Sequence, residues 1–199
     1  MRWLTFFLQY ADPAFAPIQD DPKLPRVLLI GDSISIGYTV PVREALRGKA
    51  NVHRIPADGG TTADGVKNLD TWLGTDKWDV IHFNWGTQDL KRVTGVQQVP
   101  IEQYEKNLRE LVRRLKATNA KLIWFPSMPL SQSRRLKQYF PNDIRPYNDA
   151  ADKIMKENQL QPEPTGVISL KGGFHSDGVR LTRLSLENVT EQIVRSIIH

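Results

Sequence analysis

The sequence predicts an α/β protein built in three layers, a parallel sheet with helices on both faces. Three observations carry that expectation. From residue 26 onward, short apolar runs of strand length alternate with segments of helical periodicity. The first run, Val27-Leu28-Leu29-Ile30, has four consecutive branched aliphatics, the pattern of a strand buried on both sides. Three of the runs also end in small or polar turns, at Gly31-Asp32-Ser33, Pro56-Ala57-Asp58-Gly59-Gly60 and Gly86-Thr87-Gln88-Asp89.

With 199 residues, 40 % of them apolar and 25 % charged, the chain fits one domain around one core. Residues 26–199 are assigned to that domain and residues 1–25 to an N-terminal arm. The arm opens Met1-Arg2-Trp3-Leu4-Thr5-Phe6-Phe7-Leu8, the charge and apolar order of a short export signal, and Ala14-Phe15-Ala16 resembles a small-x-small cleavage site. A secreted or periplasmic location follows from that reading. The alternative is an arm whose aromatic residues pack on the domain, which leaves a cytoplasmic location open.

The elements follow in order. Gly31 permits the sharp turn after the first strand, and residues 34–46 form a helix with Pro41 as its weak point. Gly48 stops that helix, and residues 51–55 alternate as a second strand. A tight, glycine-bearing loop leads to a short helix at 64–73, with Val66, Leu69 and Leu73 on one side. Residues 78–85 are a third strand, and 91–100 a loop without periodicity. Ile101, Tyr104, Leu108, Leu111, Val112 and Leu115 recur at helical spacing, so 100–118 is a helix. Residues 121–125 are a fourth strand, ended by Pro126. The long connection at 127–141 is suited to form a wall of a substrate cleft. A helix at 144–158, a short fifth strand at 166–170 and a closing helix at 182–198 complete the chain.

Charge and composition exclude several functions. The formal charge is +5, but bases and acids interleave at Glu102-Lys106, Glu105-Arg109 and Glu110-Arg114, a solvated helix face and not a nucleic-acid groove. Arg134, Arg135 and Lys137 form the densest basic cluster, in a loop able to attract an anion. Cysteine is absent, which removes disulfides, thiolate metal sites and cysteine nucleophiles. No histidine or carboxylate spacing suggests a metal, no phosphate-loop lysine follows the first strand, and no cofactor is expected. No stretch is long and apolar enough to span a bilayer. Trp72, Trp78, Trp85 and Trp124 are assigned to core or cleft wall.

The chemistry centres on Ser33. It lies where a strand's carboxyl end meets a helix amino end, beside unpaired N–H groups and the positive end of the macrodipole. A serine there serves either as a nucleophile or as a simple helix cap. Gly31-Asp32-Ser33-Ile34-Ser35 resembles the nucleophile block of the SGNH (GDSL-type) hydrolases, a flavodoxin-like family of serine esterases and acyl hydrolases. The resemblance runs from Arg26 onward and implies a five-stranded parallel sheet in the order 2-1-3-4-5. It also implies an oxyanion hole from the N–H groups of Ser33 and Gly60, with Gln88 standing where the family has asparagine. In the last block, Asp177 matches the family's aspartate, but Arg180 occupies the place of the histidine base. Arginine is always protonated and cannot accept a serine proton. Of the four histidines, His53 and His82 fall inside strands and His199 is terminal, so His175 is the remaining candidate base; its other reading is an exposed loop residue beside an Asp177–Arg180 ion pair.

Three functions stand on this sequence. The first is an ester hydrolase acting through Ser33 on small-molecule or saccharide esters, impaired by Arg180. The second is a non-catalytic ligand- or carbohydrate-binding protein on the same scaffold, with Arg180 able to hold a carboxylate or sulfate. The third is a nucleotide or phosphate binder that uses the helix amino end after Ser33. Oligomeric state is not legible.

Overall fold

A computed structural model describes residues 12–128, 143–160, 173–175 and 181–199. A short 3-10 turn at Pro13–Phe15 precedes β1 (Arg26–Ile30), α1 (Ser33–Ala45), β2 (Asn51–Arg54), α2 (Thr62–Leu73) and β3 (Val80–Phe83). There follow β4 (Arg92–Val93), β5 (Val96–Gln97), α3 (Ile101–Lys116), β6 (Lys121–Trp124), α4 (Ile144–Glu157) and α5 (Arg183–Ile198). Four parallel strands make the central sheet in the order β2-β1-β3-β6, so the first four strands stand in the expected order. The expected fifth strand, at 166–170, lies outside the described residues. No helix among the described residues is long and apolar enough to cross a membrane.

The three layers follow from β1. Successive side chains of a strand point to opposite faces. Leu28 and Ile30 join Phe83, Trp85, Trp124 and the apolar stripes of α2, α3 and α4 on one side. Val27 and Leu29 join Phe125 and the inner faces of α1 and α5 on the other, with Tyr38, Val42, Val189 and Ile193 among them. Each such side chain, fully buried, contributes about 1.5–3 kcal/mol of hydrophobic transfer free energy. Trp78, Trp85 and Trp124 are buried and Trp72 partly so, all in the core.

Helix starts are legible in their caps. Asp32 caps α1 through Oδ1, which accepts from the Ile34 N–H at 3.0 Å. Thr61 and Asp64 form a reciprocal capping box on α2. Pro41 does not end α1, which continues through it to Ala45.

Two local expectations are corrected. Residues 91–100 contain the β4–β5 hairpin, with Arg92 opposite Gln97 and Val93 opposite Val96. Its two-residue turn has positive φ at both Thr94 (54°) and Gly95 (88°), the twist a tight hairpin favours. Glu110 pairs with Arg113 at 2.7 Å and not with Arg114. Arg114 instead reaches α2, pairing with Asp70 and donating to the Val66 carbonyl at 2.7 Å. Glu110 is already held by both forks of Arg113, and the Val66 carbonyl meets the partly buried Arg114 guanidinium in the groove between the helices.

Candidate active site

The loops that leave the carboxyl ends of β1, β2, β3 and β6 are tied to one another by backbone. The Gly59 N–H donates to the Gly31 carbonyl at 2.9 Å, and the Asn84 N–H donates to the Ile30 carbonyl at 3.0 Å. Side chains close the remaining gaps. Asn84 Nδ2 donates to the Phe125 carbonyl at 2.6 Å, and Ser127 Oγ donates to the Trp85 carbonyl at 3.3 Å. Gly59 is required by contact, since a Cβ there would lie 2.8 Å from the Gly31 oxygen. This is the sheet edge at which open α/β folds bind ligands.

Ser33 is the first residue of α1 and half-buried. Because Asp32 supplies the helix cap, the capping role that the sequence left open for Ser33 is already filled. Ser35, two residues on, turns its hydroxyl back to the Asp32 carbonyl at 2.8 Å. Asp32 itself is buried, and burial raises its pKa, opposed by hydrogen bonds that include the Ile34 N–H. Beside it lies a cavity of about 10 Å³, room for a single water, lined by Asp32, Ser35, Tyr38, Asn84 and Thr87 among others.

Gly60 sits in the β2–α2 loop with φ +60°, and its N–H donates to Asp58 Oδ1 at 3.1 Å. The preceding carbonyl, Gly59 O, accepts from Trp85 Nε1 at 3.1 Å. In a trans peptide the C=O and N–H of one plane point opposite ways. Trp85 therefore sets the direction of the Gly60 N–H from the core side.

Gln88 is half-buried in the loop after β3, and its carbonyl accepts from Gln98 Nε2 at 2.8 Å. Next to it, Asp89 is buried and accepts from the Thr62 N–H at 2.9 Å and the Thr62 hydroxyl at 2.5 Å. Burial pushes its carboxyl up to about 6, against those hydrogen bonds. Asn107 of α3 donates to the same Thr62 hydroxyl at 3.1 Å, so Asp89 joins the third loop to the start of α2 and to α3.

The histidines separate by environment. His53 Nε2 lies 2.7 Å from Asp20 Oδ1 and its ring meets Trp78 edge-on. His82 is fully buried between Tyr38 and Phe125, and neither ring nitrogen has a partner among the described residues. His175 is exposed, next to Phe174, which bridges antiparallel to Leu181 just before α5. Asp177 and Arg180 lie outside the described residues, as do Arg134, Arg135 and Lys137. The structure thus brings the loops of Ser33, Gly60 and Gln88 to one edge, and sets His175 at the approach to α5.

One buried residue was not singled out from sequence. Arg54, the last residue of β2, lies against the Ser33 turn with its guanidinium 2.5 Å from Ser35 Oγ and 2.8 Å from the Gly31 carbonyl. The signal was available, because strand alternation puts Arg54 on the same side as the buried Val52.

No family model matches the chain, and no curated protein sequence matches it. Solved structures do match in fold. A lipase/acylhydrolase from Enterococcus faecalis superposes with a TM-score of 0.72 at 19 % identity, over 87 % of this chain and 95 % of that one. A GDSL-like lipase from Bacteroides thetaiotaomicron gives 0.73 at 17 % identity, over 93 % of each chain. An acetyl xylan esterase from Geobacillus stearothermophilus gives 0.69 at 20 % identity, over 87 % of this chain and 94 % of that one. The chain therefore has the three-layer fold of these proteins.

Proposed function

We propose that this chain is a serine ester hydrolase with Ser33 as nucleophile, acting on small-molecule or saccharide esters. One observation carries the reading: Ser33 opens α1 at the ligand-binding edge while Asp32 takes the capping role, which leaves the serine hydroxyl for chemistry. The names of the fold relatives, lipase, acylhydrolase and acetyl xylan esterase, support the reaction class.

In this mechanism Ser33 Oγ attacks the acyl carbon, and the carbonyl oxygen takes up negative charge. The N–H groups of Ser33 and Gly60 receive that charge, with the Gln88 amide as a third donor. Gly60 must first exchange Asp58 Oδ1 for the substrate oxygen, an exchange of acceptors at an exposed loop. His175 takes the serine proton and Asp177 orients it, since Arg180 stands at the place where the resemblance puts the base and holds its proton permanently. Collapse of the tetrahedral intermediate expels the alcohol, and water then hydrolyses the acyl-serine.

Arg180 is the observation that favours the second reading, a binding protein on the same scaffold. Short-chain p-nitrophenyl esters separate the two. The hydrolase reading expects Ser33→Ala and His175→Ala each to remove turnover, and Arg180→His to raise it by about 10²-fold or more, the scale of general-base catalysis. A parent chain no faster than Ser33→Ala, with Arg180→His also inactive, would give the binding reading the field.

A further inference from the structure

We infer that Arg54 is a positioning residue for ester hydrolysis, holding the Ser33 turn and the Gly60 loop in register so that the Ser33 N–H faces the developing oxyanion. The inference rests on the hydrolase reading above. It starts from an unusual allocation of one side chain. Arg54 is buried at the sheet edge, and among the described residues no carboxylate forms an ion pair with it. A guanidinium is costly to remove from water unless its donors are met. Here the two terminal nitrogens are met by the backbone of the two loops and by side chains of α1, while Nε has no partner among the described residues.

Nη2 donates to the Gly31 carbonyl at 2.8 Å and to the Ala57 carbonyl at 3.3 Å. Nη1 donates to Ser35 Oγ at 2.5 Å and, more weakly, to Thr39 Oγ1 at 3.4 Å. Ser35 Oγ in turn donates to the Asp32 carbonyl at 2.8 Å. That carbonyl belongs to the same planar peptide as the Ser33 N–H, on its opposite side. Arg54 therefore acts on the oxyanion donor through one hydroxyl, and on the Gly60 loop through Ala57. The Gly31 carbonyl, which also accepts the Gly59 N–H at 2.9 Å, is the point where both loops and the guanidinium meet.

The charge matters as well as the geometry. Burial draws the Arg54 pKa down, opposed electrostatically by Tyr38 and by Asp58 and Asp32, neither of which forms an ion pair with it among the described residues. A buried cation without a contacting anion favours the state in which negative charge develops nearby, and that state is the tetrahedral intermediate. Phe15 lies over the guanidinium, with 5.4 Å from Cζ to the ring centroid, and adds to its cover from solvent.

The test compares the parent with Arg54→Lys, Arg54→Met and Ser35→Ala in p-nitrophenyl acetate hydrolysis, at a temperature where each melts well above the assay. Reaction of Ser33 with a fluorophosphonate is read by mass spectrometry alongside. We expect Arg54→Met to lower kcat by about 10²-fold while KM moves by less than about threefold, the split that marks loss of a transition-state interaction. Arg54→Lys is expected between Arg54→Met and the parent, because it keeps the charge and loses the fork. Ser35→Ala, which cuts one arm of the relay, is expected to lower kcat and leave KM unchanged. Arg54→Lys and Ser35→Ala with kcat within about twofold of the parent would overturn the inference; should the Arg54 variants fail to fold, Ser35→Ala decides alone. A parent that neither hydrolyses ester nor takes the fluorophosphonate at Ser33 overturns the hydrolase reading itself, a result distinct from an active parent with active variants.

Discussion

At the scale of single residues, His82 and Asp89 make opposite claims about acid. Burial lowers the His82 pKa to about 3, from 6.5. As the pH falls below 6.5 the unfolded chain binds a proton that the folded chain refuses, so stability falls between pH 6.5 and about 3. Asp89, raised to about 6, keeps a proton in the folded state that the unfolded chain has lost above about pH 4. Its contribution is present below pH 4 and is lost as the pH rises to 6. Between pH 4 and 6 the two slopes cancel in the parent. His82→Leu leaves the Asp89 slope alone, and its melting temperature is expected to rise by about 4–8 °C from pH 6.0 to 4.5, at about 1.4 kcal/mol per pH unit. Asp89→Asn is expected to do the reverse and fall by a similar amount. Thermal melts at the two pH values decide it, and parallel profiles for parent and both variants would contradict the burial argument. The place of Ser33 at the junction of β1 and α1 was legible because a polar turn follows a doubly buried strand. Arg54 was passed over because arginine in an alternating strand is ordinarily the outward partner, and here it shares the inward face with Val52.

At the scale of elements, α2 is fitted to the sheet edge through one glycine. A Cβ on Gly65 would lie 2.8–3.0 Å from the Trp85 indole. That indole cannot swing aside freely, since its Nε1–H is committed to the Gly59 carbonyl. Two effects compete in Gly65→Ala: helix propensity favours alanine by about 1 kcal/mol, and overpacking opposes it by about 1–3 kcal/mol. Overpacking should win, and urea titration is expected to show a lower midpoint at unchanged slope; a raised midpoint would mean that α2 shifts without cost. The long helices were readable because their apolar residues recur over four turns. The β4–β5 hairpin was not, for two reasons. Its strands are two residues each, too short for alternation to register, and its turn begins with Thr94 at positive φ, where asparagine, aspartate or glycine is the usual signal. A tertiary contact also anchors it, the fork of Arg92 on Asp143 at 2.8 and 3.1 Å, which no local pattern reveals.

At the scale of the whole molecule, the layers were legible because short apolar runs alternate with segments of helical periodicity, whereas the order of the four strands came from the resemblance alone, since a strand's own residues do not name its neighbours. That the loops of Ser33 and Gly60 meet was likewise implied by the resemblance, but the contact that joins them was not legible, since Gly31 meets Gly59 through backbone alone. Residues 13–15 pack on the domain. Ala14 is 1 % exposed, Arg43 donates to the Pro13 carbonyl at 3.0 Å, and Phe15 covers Arg54. A chain beginning at Pro17, as cleavage after Ala16 would leave it, is therefore expected to melt several degrees below one beginning at Asp12, with about 1–2 kcal/mol removed with the aromatic cover alone. Equal melting temperatures for the two truncations would show that this segment contributes nothing to the fold.

The contact between Gly31 and Gly59 also bears on how such chains are inherited. Alanine at 59 is barred by the Gly31 backbone whether or not Ser33 ever attacks an ester. A descendant that abandoned hydrolysis for binding would keep that glycine for as long as it kept the architecture. The glycine thus answers to the architecture and not to the reaction, and its presence is the same whichever trade the protein follows.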